Sequence, residues 1–229
     1  MNTRSMPYTR QIVCLANSYK YPNGRCIAGK EMPAGGWIRP VSPRPTHEVA
    51  LDECRYADHT LPRLLDTIDV SLSESAPLFH QAENHVIQGG QQWVKTGTLP
   101  FGDLAALCDD PLALWVNSQS TALGHNDCIS QEEAAEFTHS LLLLRPEDFS
   151  VEIGTNPWQG RRTYRGDFRY KGVHYSLSLT DPRARDVYGN TQGDHPLNDV
   201  YICVSLTEPY EQDGRCHKLV ASIIKNPLL

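Results

Sequence analysis

Cations and rings able to hold an anionic, ring-bearing ligand are concentrated in the first forty-five residues. The runs IVCLANSYK (12–20), GRCIAGK (24–30) and GWIRPVS (36–42) carry Asn17, Ser18, Lys20, Arg25, Lys30, Trp37 and Arg39. Arg44 follows just beyond them, and Glu31 is the one acid in the segment. Ammonium and guanidinium groups neutralise phosphates, and an indole offers a face on which a base stacks. A second block, WQGRRTYRGDFRYKGVHY (158–175), interleaves Arg161, Arg162, Arg165, Arg169 and Lys171 with Trp158, Tyr164, Phe168 and Tyr170; Asp167 is its one acid. In a regular strand Tyr164, Phe168 and Tyr170 share one face, with Arg165 and Arg169 opposite. Two readings stand: core aromatics backed by solvated arginines, or a binding surface in which a bulge brings both sets together.

Other chemistry is thinly represented. Asp66 and Asp69 fall on opposite sides of a strand and read as an acid at the strand's start and a surface acid. Glu83-Asn84-His85 offers an acid/base pair, or a polar loop in which Asn84 makes turn hydrogen bonds. Nine histidines are scattered without an HExxH or HxH spacing, and there is no Walker A loop, GxGxxG or GxSxG. Seven cysteines form no CxxC pair, which argues for reduced, buried thiols and against a zinc site. The expectation is therefore no metal, no cofactor, no catalytic residue and, on balance, no enzyme.

The net charge of −6 conceals a partition: residues 1–45 carry +6, residues 46–158 carry −14 and residues 159–229 carry +2. Either the basic ends gather on one face, or they pair with the acidic middle. No apolar run approaches the roughly 20 residues that span a bilayer, and the start lacks an apolar signal core. A cytoplasmic protein with no membrane partner is expected.

The elements that must position these residues are short strands. Sixteen Gly and sixteen Pro, in a chain with 40% hydrophobic residues, favour turns and β structure around a real core. Strand-like runs fall at 11–17, 25–30, 36–41, 67–72, 92–96, 112–116, 140–144, 149–153, 162–170, 173–179, 200–206 and 219–224. The first turns are Tyr21-Pro22-Asn23-Gly24 and Pro33-Ala34-Gly35-Gly36; Lys171-Gly172 closes a later hairpin. Helices are few: Ser130 and Glu133 have capping-box spacing, and 101–107 and 181–187 suit short helices. A Gly-Arg-Cys triplet occurs twice, at 24–26 and 214–216, each between two strands. It is either a duplicated unit with Arg25 and Arg215 in like places or a coincidence of hairpin format.

The blocks ANSYK, GRCIAGK, GWIRPVS, LPRLLDTIDVSL (61–72), AENHVI (82–87), VYICVSLTEPY (200–210) and GRCHKLVASII (214–224) together resemble the bacterial dual OB-containing domain family, over nearly the whole chain. Tyr19, Tyr21 and Pro22 depart from the compact first turn of its relatives. The resemblance implies a mainly β fold of two packed OB-like β-barrels with a few short helices. It places a first barrel at 1–100, a helical or irregular connection at 101–139 and a second barrel at 140–229, with exchange of strands between them left open. It implies nucleic-acid or nucleotide recognition in bacterial defence or stress, and no catalytic set.

On that basis Arg25, Lys30, Arg39, Arg161, Arg162 and Arg165 are the expected phosphate contacts, and Trp37, Trp158 and Tyr164 the expected stacking platforms. The first function expected is a non-catalytic module for single-stranded or structured nucleic acid, with a protein partner encoded nearby. A nucleotide or modified-nucleotide sensor with a pocket at Asn17, Lys20 and Lys30 is one alternative. An adaptor that docks a basic partner on the acidic segment is another, and a metal-dependent nuclease built from scattered acids is the last.

Overall fold

The computed structural model describes residues 6–20, 23–33 and 35–229, so Tyr21, Pro22 and Ala34 of the two early turns lie outside the described residues. The chain divides into two compact units, 1–103 and 104–229.

The first unit is built from β1 (Tyr8–Lys20), β2 (Gly24–Glu31), β3 (Trp37–Val41), β4 (Asp66–Ser75), β5 (Asn84–Ile87) and β6 (Val94–Thr98). Hydrogen bonding runs β1-β2-β3-β5-β4 and closes through β4 onto β1, a five-strand barrel. Every pairing is antiparallel except β3 with β5. That order, with its one parallel pair, is an OB-type Greek-key barrel. β1 serves both ends of the closure because it is long and bent. Its first half pairs with β4 and its second half with β2, with a bulge between Cys14 and Ala16. A bulge adds twist and turns the strand through the corner.

Gly29 lies opposite that bulge, where a Cβ would overlap the carbonyl oxygen of Val13. Gly29→Ala is therefore expected to cost about 1–3 kcal/mol, by overpacking. Urea unfolding of the purified variant checks it; an unchanged midpoint would show that the strands can part at no cost.

Burial in β4 alternates strictly from Asp66 to Ser73, which puts Asp66, Ile68, Val70 and Leu72 inside. The short β5 leaves the start of β4 unpaired on that edge, and β6 takes it, pairing with Asp66–Asp69. Residues 42–65 supply Cys54, Tyr56, Leu64 and Leu65 to the interior without forming a helix or strand.

In the second unit, a 3-10 helix (Phe101–Leu107) that begins in the first unit leads to β7 (Cys128–Ile129), α1 (Gln131–Ala134) and β8 (Leu141–Leu144). Then come β9 (Asp148–Thr155), β10 (Arg162–Tyr170), β11 (Val173–Leu179), α2 (Pro182–Tyr188), β12 (Gly193–Pro196), β13 (Tyr201–Pro209) and β14 (Cys216–Ile224). The sheet runs β12-β9-β10-β11-β14-β13-β8, with β11 and β14 parallel. The first unit's topology returns if β8 and β9 are taken as one strand broken at Arg145-Pro146-Glu147. β8 pairs with β13 as the first half of β1 pairs with β4, and β9 pairs with β10 as the second half of β1 pairs with β2. Proline removes a ladder donor and is tolerated at such a break. Phe149, Val151, Phe168, Tyr175, Leu177 and Val220 are among the side chains that fill this interior. Ser130 caps α1 with both bonds of a capping box, and Asp181 caps α2.

Several expectations change. Residues 112–116 are not a strand: Trp115 has φ 58°, and its indole donates to the His139 carbonyl at 3.0 Å while Leu114 is fully buried. Val94–Thr98 begins two residues later than expected. Residues 84–87 are a strand rather than a polar loop, because Asn84 is buried against β3. The Gly-Arg-Cys echo is a coincidence of format. The first triplet opens β2, the second strand of its barrel, whereas the second opens β14, the last strand of the other.

Candidate nucleic-acid interface

On the first barrel, Lys30 and Trp37 are cross-strand partners on β2 and β3. The Lys30 ammonium stands 5.4 Å from the centre of the indole, a cation–π pair on the outer face of the sheet. Arg39 follows on the same face of β3 but is only 4% exposed. It pairs with Glu83 at 3.3 Å, and its backbone N–H donates to the Glu83 carbonyl at 2.7 Å. Arg25 sits on the other side of β2, five residues from Lys30, and its backbone exchanges two bonds with Val49. Asn17 donates to the Pro62 carbonyl at 2.8 Å, so its amide holds the 42–65 segment. The opening block thus brings together Lys30 and Trp37; it withdraws Arg39 and separates Arg25.

A cluster outside the expected binding residues gathers at one end of this barrel. Tyr8 and His85 share a 2.6 Å hydrogen bond, Arg10 pairs with Glu31 at 2.9 Å, and the Arg10 guanidinium lies over the Tyr8 ring. Partial burial, then the Arg10 charge, holds the His85 pKa below its usual value. Elsewhere in the same unit a cavity of about 530 Å³ reaches the buried Asp66 carboxylate. That carboxylate accepts from Tyr56 OH at 3.0 Å and Arg63 N at 2.9 Å, and pairs with Lys95 at 2.5 Å.

On the second barrel residues 119–129 lie along β11 and β14, and Arg165 on the outer face of β10 reaches over to them. His125 exchanges backbone bonds with Ser176 of β11, and Asp127 O accepts from Lys218 N of β14. This brings Asp127 onto Arg165, which is 7% exposed and bonds Asp127 at 3.0 Å and Ser176 Oγ at 3.0 Å. Gly124 permits the fit, since a Cβ there would overlap both charged groups. The expectation that Arg39 and Arg165 contact phosphates is set aside: each is desolvated and matched to a carboxylate from a distant part of the chain. The other basic groups of the face are paired too, Arg169 with Asp148 at 3.8 Å and His174 with Asp167 at 2.9 Å. His125 stacks on His174 with ring centres 5.0 Å apart.

The turn between β9 and β10 is different. Asn156 closes it by donating to the Arg161 carbonyl, and its side-chain oxygen accepts from the N–H groups of Trp158 and Gln159. Trp158 is left 69% exposed on a fixed turn, beside exposed Arg161 and Arg162. Arg162 also donates to the carbonyls of Gly189 and Thr191, which fastens the end of α2 to the start of β10. Tyr164 is half-buried, and the Arg185 guanidinium of α2 lies 5.4 Å from its ring centre. Phe168 and Tyr170 belong to the core. Arg185 was not anticipated; its place after the capped Asp181-Pro182 helix start is the only sequence signal it carries.

The family model of the dual OB-containing domain matches residues 10–223. The chain belongs to that family. Curated proteins and solved structures give no match to this dual OB-containing domain protein. No helix among its described residues is long and apolar enough to cross a membrane. Membership and the closed first barrel agree on an OB-fold module.

Proposed function

We propose that this protein is a non-catalytic binder of single-stranded or structured nucleic acid. The observation that carries the reading is the Lys30–Trp37 pair on the outer face of the second and third strands of a closed OB barrel. Oligonucleotides lie on that face in OB folds, with bases stacked on aromatics and cations along the phosphates. Trp158, Arg161 and Arg162 extend the same chemistry to the second barrel. A cytoplasmic role in bacterial defence or stress, beside a protein partner, is the setting we propose for it.

Fluorescence anisotropy with labelled oligonucleotides across a salt series is the test. Affinity should fall steeply with salt as counterions are released. Trp37→Ala should weaken binding by about 1–3 kcal/mol, the contribution of one stacked base. Equal affinity for the parent and Trp37→Ala, or a flat salt response, would remove the reading.

The cavity at Asp66 and Lys95 favours a second one, a mononucleotide sensor. Thermal stabilisation by mononucleotides but not by oligomers would select it.

A further inference from the structure

The two barrels do not present the same face to a polyanion. Across β9, β10 and β11 of the second barrel the outward positions include Asp148, Glu152, Asp167, Arg169 and His174, with Asp194 of β12 beside Glu152. A shallow cavity of about 390 Å³ there is lined by Asp148, Asp167 and Asp194 together with Arg169 and His174. Arg169 and His174 already face Asp148 and Asp167, and Arg165 lies under Asp127. Among the described residues Glu152 and Asp194 make no ion pair there, while each basic group of the face already has a carboxylate beside it, so an arriving phosphate is repelled.

The charge reverses at the end of the strands. Residues 155–162 contain no acid, and among the described residues Arg161 and Arg162 make no ion pair. Arg185 of α2 reaches the same end, stacked over Tyr164, and Arg162 holds α2 there through Gly189 and Thr191. Val187, two residues on in α2, is an exposed apolar side chain. Three guanidiniums, an exposed indole and a half-buried phenol therefore share one end of the barrel, next to a sheet face that excludes anions.

We propose that the second barrel takes single-stranded nucleic acid along the β9–β10 turn and α2, with Arg161 and Arg185 on phosphates and Trp158 against a base, and not across β10 and β11. The siting rests on the nucleic-acid reading above. Arg162 is a positioning residue, because its guanidinium is engaged by the end of α2. A nucleobase rather than a bare anion is the ligand class, since the indole stands exposed on a turn that the Asn156 side chain fixes.

The experiment uses the full chain and a labelled oligothymidylate at low salt, with Trp158→Ala, Arg185→Glu and, on the sheet face, Arg169→Glu. All three side chains are exposed, so circular dichroism should show folded variants. Trp158→Ala is expected to weaken binding by at least about fivefold. Arg185→Glu is expected to weaken it and to reduce the salt slope by about 1. Arg169→Glu should bind as the parent does. Loss of affinity in Arg169→Glu with the other two unchanged would overturn the siting alone, as would binding sensitive to Trp37→Ala and to none of the three. Absence of binding by the parent would overturn the nucleic-acid reading and the siting with it.

Discussion

Asp127→Ala is expected to destabilise the second barrel by about 3–5 kcal/mol, the usual cost of leaving one member of a buried ion pair unmatched. Asp127 accepts from Arg165, from Thr121 N at 2.7 Å and from Thr121 Oγ1 at 2.7 Å, and its backbone oxygen accepts from Lys218. Removing the carboxylate strands a guanidinium that is 7% exposed and frees the segment that lies between β11 and β14. Because the penalty comes from the orphaned charge, Asp127→Ala combined with Arg165→Met should cost less than Asp127→Ala alone. A double-mutant cycle by urea unfolding measures this. A double variant less stable than either single one would show that the pair is net favourable rather than merely matched.

The second large effect is a pH dependence centred on Lys218. This lysine faces inward on β14, is 1% exposed, and donates to the Val116 carbonyl at 2.6 Å with its ammonium 5.6 Å from the centre of the Tyr175 ring. Burial pulls its pKa down to about 8, against an opposing pull from Cys128, Asp127 and Glu133. Between about pH 8 and the ordinary lysine value of about 10.4 the unfolded chain binds more protons than the folded one, so stability rises with pH across that window. Below pH 8 both forms are protonated and the whole desolvation penalty is present. Cys54 and Cys216, both pushed up to about 11 by burial, act in the opposite sense, so the difference between parent and Lys218→Met isolates the lysine. Lys218→Met should be no less stable than the parent at pH 7. The difference should then move by roughly 3 kcal/mol in the parent's favour by about pH 10.5. A difference that stays level across the window would show that Lys218 is solvated in the folded state.

Both effects depend on groups whose place in the sequence gave little warning of their burial. Arg165 stands in a run of exposed-looking arginines, and Lys218 sits beside His217 at the start of a strand. Period-two alternation correctly separated Phe168 and Tyr170 from Arg165 and Arg169. It carried no information about what covers the far face, because the cover arrives from residues 119–129. The same holds at Arg39, which shares its face with Trp37 but is covered by Glu83. Residues 112–116 read as a strand because they are apolar, and they are a bent cap because Trp115 must reach the His139 carbonyl.

The sequence by itself determined most of the strands, the capping box at Ser130, the mainly β class and the family. These follow from local geometry, from alternation and from long word patterns, all of which are carried by neighbours along the chain. Tertiary structure decided what each cation lies against. Lys30 lies against an indole, Arg185 against a phenol and Arg161 is exposed, whereas Arg162 is engaged by the carbonyls of Gly189 and Thr191, Arg25 is turned to the other side of its strand and Arg39 and Arg165 are matched to carboxylates. The physical reason is that a guanidinium's chemistry is set by the nearest opposite charge, and closing a barrel chooses that neighbour from anywhere in the chain.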